Sequence, residues 1–138
     1  MIRPATIDDI DAIAFMEILL FPENCFNERT IANELSIGHA WVSGNPAIAY
    51  VIARVDHDLV DVMRLGVHPD FQSRGHGAEL LAKTLALAPM AMLTVRKDNP
   101  RAIQFYRRFG FEIVGHFSGI DPAWAMRRVQ PQPTVSAT

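Results

Sequence analysis

One cysteine in 138 residues, Cys25, leaves no partner for an intrachain disulfide, so a disulfide-stapled scaffold is excluded and a reducing compartment fits. No apolar run approaches the roughly 18 residues that a membrane span needs, and the start MIRPATIDDID lacks the basic-then-apolar pattern of a secretory signal. Neither sign of charge dominates: 13 basic and 15 acidic side chains leave a net charge of -2. Nothing in the chain as a whole therefore draws it to a phosphate backbone or an anionic membrane. The histidines at 39, 57, 68, 76 and 116 show neither H-E-x-x-H nor a Cys/His ligand spacing, and no internal repeat is visible. The expectation is a cytoplasmic protein that needs no metal, nucleic acid or membrane.

What is there is a chain 49% hydrophobic and 20% charged, the balance of one globular domain with a sizeable core and no room for a second. After an extended start at Ile2, Arg3 and Pro4, Thr6 and Asp9 have capping-box spacing and predict a helix that runs to about Leu20, where Pro22 stops it. FPENCF is then a loop. Asn27 caps a second helix, with Phe26 stapled onto Ile31 and Gly38 at its end.

From Ala40 the period changes to two. AWVS, AIAYVIARV and LVDVMRLGV read as an antiparallel meander turning at DHD, residues 56 to 58. The last of these strands runs through HPDFQSRGHG into a helix with Leu81, Leu85 and Ala88 on its apolar stripe and Glu79 paired with Lys83 on the other side. MAMLTV reads as a buried strand. Asn99 as N-cap, Pro100 in the first turn, Arg107 and Arg108 in the last and Gly110 after it define a fourth helix. FEIVGHF and AWAMRRV close the sheet, so the domain covers 1–129 and residues 130–138 form a tail with nothing to bury.

The stretch FQSRGHGAELL is the chemical signal. It is not a dinucleotide loop, because the third glycine position of G-x-G-x-x-G is Leu80, and no G-x-x-x-x-G-K-[ST] run exists. Gly75 and Gly77 permit close approach of a ligand to the backbone, the N–H groups at a helix start attract an anion, and Arg74 adds a full charge. A plain glycine turn into a helix would look the same.

Val67-x-Pro69-x-x-Gln72-x-x-Gly75-x-Gly77, between a long strand and an apolar helix, resembles the acyl-CoA loop of the GNAT superfamily of N-acetyltransferases. VRKDNPRAIQFYRRFGFEIVG is similar to that family's second signature, with Asn99, Ala102, Tyr106, Gly110 and Phe111 on matching positions. The resemblance spans about residues 60 to 117 and is partly to the ribosomal-protein alanine acetyltransferases. It implies a single α/β domain with a mixed, twisted sheet, flanked by about four helices, whose central strands splay into a V-shaped slot.

The resemblance further implies acetyl-CoA as co-substrate, its pantetheine arm pairing with main chain at Leu65, Gly66 and Val67. Gly66 also fits a kink or bulge. Gln72, Ser73, Arg74, Gly75, His76 and Gly77 would cradle the pyrophosphate, and Asn99 would bond the pantetheine arm, cap its helix, or do both. Tyr106 is the implied general acid for the departing thiolate, against the plain alternative of packing beside Phe105 and Phe109. Thr94 stands where the ribosomal-protein enzymes carry a glutamate base. Glu17, Glu23 and Asp61 are the replacements to consider, each equally readable as a surface charge. Cys25 fits a packed or incidental side chain better than an acyl-enzyme nucleophile. Arg101, Arg107, Arg108, Arg127 and Arg128 read as surface charge, with the CoA 3′-phosphate as the one ligand group the resemblance offers them. The expected acceptor is a small-molecule or peptide amine, and the expected chain a monomer or homodimer. The other class open to this sequence is a CoA-binding sensor or adaptor with little catalysis.

Overall fold

The computed structural model describes residues 1–130. Most of the expected tail, residues 131–138, lies outside the described residues; Gln130, its first residue, donates its N–H to Pro89 O at 2.7 Å.

The elements are β1 (Ile2–Pro4), α1 (Ile10–Leu20), α2 (Glu28–Ile37), β2 (His39–Ser43), β3 (Ala49–Asp56), β4 (Leu59–Val67), α3 (His76–Leu85), β5 (Met90–Arg96), α4 (Pro100–Arg108), β6 (Glu112–Phe117) and β7 (Ala123–Val129). They form one mixed sheet of order β1-β2-β3-β4-β5-β7-β6, in which β4 and β5 alone run parallel. The edge strand β1 comes from ahead of the two helices, so the sheet does not wait for them as the chain order suggested. Local patterning also could not show that β7 inserts between β5 and β6.

Side-chain alternation along β3 builds both cores. Ala49, Val51 and Ala53 face α3 and α4 with Leu80, Leu81 and Leu85, while Tyr50 and Ile52 face Ile13 and Met16 of α1 and Ile31 of α2. The sheet is therefore sandwiched between two helical layers.

Several local expectations shift. The Thr6 and Asp9 capping box is present, but it caps a 3₁₀ turn over Ile7–Asp9 and the α-helix begins at Ile10. Asp9 is also gripped by Arg3 through two bonds of 2.8 and 2.7 Å, which holds its carboxyl below the usual carboxylate range. α3 ends at Leu85, leaving Ala88 buried in the following loop, and Lys83 turns its ammonium over the Trp41 ring at 5.5 Å. The β4 irregularity is not at Gly66: the register slips between Ile52 and Ala53 of β3, which makes Met63 the extra residue.

Candidate functional site

β4 and β5 share only three rungs, Leu59↔Met90, Val60↔Ala91 and Asp61↔Met92. Beyond them the strands part, immediately before the bulge at Met63, which increases the local twist of β4. The facing edges from Val62 and from Leu93 onward then have no ladder partner in each other, although β3 and β7 still pair with their outer edges. Between them opens a cleft of about 580 Å³, lined by Leu65 of β4, Thr94 and Arg96 of β5, Asn99 at the start of α4 and Tyr106 within it. Free main-chain groups along such a slot are what an extended amide chain needs for pairing.

The glycine loop stands at the far end of β4, outside the lining of that cleft. Pro69–Phe71 forms a 3₁₀ turn whose Asp70 N–H is bonded to His68 Nδ1 at 3.1 Å. Ser73 has φ 64° and Gly75 φ 89°, the left-handed turns that aim the chain into α3. A Cβ on Gly75 would meet nothing within 4 Å, so the surface over it is open. The first helical bond of α3 runs from Glu79 N–H to Gly75 O at 3.0 Å, so the N–H groups of His76, Gly77 and Ala78 have no helical partner. With Arg74 and the helix dipole, this mouth suits an anion.

Two expected loop residues have internal duties. Gln72 Nε2 donates to Val67 O at 3.0 Å, fixing the end of β4 and leaving that carbonyl one lone pair. Ser73 Oγ accepts from Arg101 Nη2 at 2.8 Å, and Gly77 faces Phe105, so α4 is docked against the loop. Gly66 is buried for a reason the sequence did not suggest: a Cβ there would lie 2.6 Å from the Tyr50 ring.

Asn99 caps α4, its Oδ1 accepting from Ala102 N–H at 3.2 Å, and its side chain also borders the cleft. Tyr106 packs edge-on against Phe105 and Phe111 with ring centroids 5.3 and 5.7 Å away. Packing and cleft lining thus coexist. Burial pushes its phenol up to about 12, so it is neutral and a donor throughout the ordinary pH range.

Of the three carboxylates considered, Glu17 is fully buried. It accepts from Phe26 N–H at 2.8 Å, from Arg64 Nε at 3.1 Å and from the Tyr50 hydroxyl, which leaves it no reach into the cleft. Burial and that carboxylate push the Tyr50 phenol strongly upward. Asp61 is the rung partner of Arg54, whose guanidinium holds Glu34, and it does not line the cleft. Glu23 does line it, at the mouth, where Arg96 bonds Glu23, Asp98 and Asp121 at 3.0 Å each. Cys25 is exposed and outside the lining.

Sequence reasoning missed Arg64 and the gathering role of Arg96. The signal for Arg64 was present: an arginine inside the apolar strand LVDVMRLGV and a glutamate inside the apolar helix stretch FMEILL are the marks of a buried ion pair. Among the described residues, no three His, Cys, Asp or Glu side chains gather as a metal ion requires, and no helix is long and apolar enough to cross a membrane.

The sequence pattern of the family described as "Acetyltransferase (GNAT) family" matches residues 9–111. The N-alpha-acetyltransferase RimI of Mycobacterium tuberculosis (strain ATCC 25618 / H37Rv) is 39% identical over 104 residues, covering 67% of this chain and 65% of that protein. Mycothiol acetyltransferase of Mycobacterium sp. (strain JLS) is 40% identical over 77 residues, 49% of this chain but 24% of that protein. The chain thus spans just under two thirds of the first relative and about a quarter of the second. The crystal structure of Arabidopsis thaliana NAA60 in complex with acetyl-CoA superposes with TM-score 0.81 at 18% identity, over 94% of this chain and 97% of that one, a likeness of fold.

Proposed function

Because the chain belongs to the GNAT family of acetyltransferases, we propose that it moves an acetyl group from acetyl-CoA to a primary amine by direct attack on the thioester. The observation that carries this reading is the slot between β4 and β5, which opens at Asp61↔Met92 and is lined by the neutral phenol of Tyr106. Acetyl-CoA would lie with its pantetheine along the free edge at Leu65 to Val67 and its pyrophosphate on the N–H groups from Ser73 to Gly77. Asn99 would bond the arm. The residues suit such a ligand: the edge is open, the surface over Gly75 is clear and the helix mouth is electropositive.

The amine nitrogen attacks the carbonyl carbon, a tetrahedral oxyanion forms, and the carbon–sulfur bond breaks to release CoA. Transfer from a phenol at about 12 to a thiolate at about 8.5 is uphill by about 5 kcal/mol. Tyr106 therefore acts first as a hydrogen-bond donor to the departing sulfur. Its proton moves fully as the intermediate's nitrogen sheds one, so the amine's proton ends on the thiol. Glu23, which lines the cleft together with Asp98 and Asp121, is the carboxylate among the three sequence candidates suited to receive the proton an ammonium acceptor must lose beforehand. A cytoplasmic setting belongs to the same proposal.

A second reading, a CoA-binding sensor or adaptor, is favoured by one feature: Thr94 faces the cleft on β5 where a carboxylate base would be expected. Thiol release from acetyl-CoA across peptide N-termini, lysine peptides and small amines separates the two. Amine-dependent release supports the transferase. Tight acetyl-CoA binding with no release for any amine supports the sensor.

A further inference from the structure

Residues 21–26, between α1 and α2, form the wall of the cleft opposite α4, contributing Phe21, Pro22, Glu23 and Asn24 to its lining. The segment belongs to no ladder, and within it the main chain closes only Phe21 N–H to Glu17 O at 2.8 Å and Asn24 N–H to Phe21 O at 3.2 Å. What seats it comes largely from Arg64 on β4. The guanidinium carbon lies 4.3 Å from the Phe21 ring centroid and 4.2 Å from that of Phe26, so both ends of the segment stack on it. Its Nη2 donates to Asn24 O at 2.7 Å, in the middle. Its Nε meets both Glu17 oxygens at 3.1 Å, and Glu17 in turn accepts from Phe26 N–H. Only a planar fork does all of this at once; an ammonium cannot.

The cofactor side is seated independently. Tyr106 packs on Phe105 and Phe111, and the glycine loop is held to α4 by Arg101 and Ser73. Resting on the acetyltransferase reading, we infer that Arg64 is the positioning residue for the acceptor: it fixes the 21–26 wall against which the incoming amine is held, and does not act on acetyl-CoA.

Arg64→Met alone leaves Glu17 charged and unpaired in the interior, which threatens the fold itself. The test is therefore Arg64→Met combined with Glu17→Gln, where the amide still offers an acceptor to Phe26 N–H and a donor to the Tyr50 oxygen, with Arg64→Lys beside it. In the double variant the circular dichroism and acetyl-CoA affinity by calorimetry are unchanged. KM for the amine rises about tenfold or more, with a smaller change in kcat. Amide exchange at Asn24 and Phe26, whose N–H groups are bonded, speeds up about tenfold or more, while exchange from Ser73 to Gly77 holds. Arg64→Lys falls between the two proteins. Unchanged acceptor KM, unchanged exchange in the segment, or equal loosening of both walls overturns the inference. Failure of the unaltered chain to acetylate any amine counts instead against the functional reading, and the exchange data still decide whether Arg64 holds the wall.

Discussion

Gly66 and Tyr50 are rung partners across β4 and β3, and the tyrosine ring occupies the space where a side chain at 66 would stand: a Cβ would lie 2.6 Å from Cε1 and 2.7 Å from the hydroxyl oxygen. The ring cannot swing away cheaply, because its hydroxyl is bonded to the buried carboxylate of Glu17.

Gly66→Ala is therefore expected to destabilise the chain by about 1–3 kcal/mol through overpacking and a weakened Tyr50 to Glu17 bond. Urea unfolding checks this, and a midpoint equal to that of the unaltered chain contradicts it. Tyr50→Phe has its own cost, since it takes a donor from the buried Glu17, but combined with Gly66→Ala the loss should be smaller than the sum of the two single losses, because the ring is then free to shift.

Gly75 separates backbone strain from ligand approach. At φ 89° any side chain carries a cost of about 1–2 kcal/mol, least for asparagine, yet the space above it is empty. Gly75→Asn should bind acetyl-CoA nearly as well as the unaltered chain. Gly75→Glu should lose measurable binding, because it sets a negative charge where the pyrophosphate approaches. Equal affinities for these two variants by calorimetry would remove the loop from the binding site.

The chain has two tyrosines, and the fold holds both phenols neutral: Tyr106 by burial, Tyr50 by burial and by Glu17 beside it. Since their folded pKa values lie above the unfolded value of about 10, the folded chain keeps these protons more tightly. The stability so contributed is whole below pH of about 10 and is lost as pH climbs through the folded values. Tyrosinate absorbance should show no step near 10, and Tyr106→Phe should remove the step near 12. A full ionisation near 10 in the folded protein contradicts this.

Legibility followed the range of the interactions. α4 was readable almost to the residue because Asn99, Pro100 and Gly110 act within a turn of where they stand. The glycine loop was readable for the same reason. Glu17 was only half readable: its charge inside the apolar stretch FMEILL marks a buried ion, but the partner, Arg64, is 47 residues away on another element and nothing local names it. Gly66 looked like a bulge because its true constraint, the Tyr50 ring, arrives from the neighbouring strand. The place of β7 between β5 and β6 is likewise a pairing between distant segments. Arg96 was visible as part of VRKDN, but its three carboxylates come from three separate loops.

The central claim is that acetyl transfer occurs in the β4–β5 slot with the Tyr106 hydroxyl assisting the departing sulfur. Single-turnover transfer from acetyl-CoA to an accepted amine, compared between the unaltered chain and Tyr106→Phe, tests it most directly. The account predicts equal acetyl-CoA affinity by calorimetry and a chemical step slower by about 10²-fold or more in the variant. A variant that transfers acetyl as fast as the unaltered chain would contradict it.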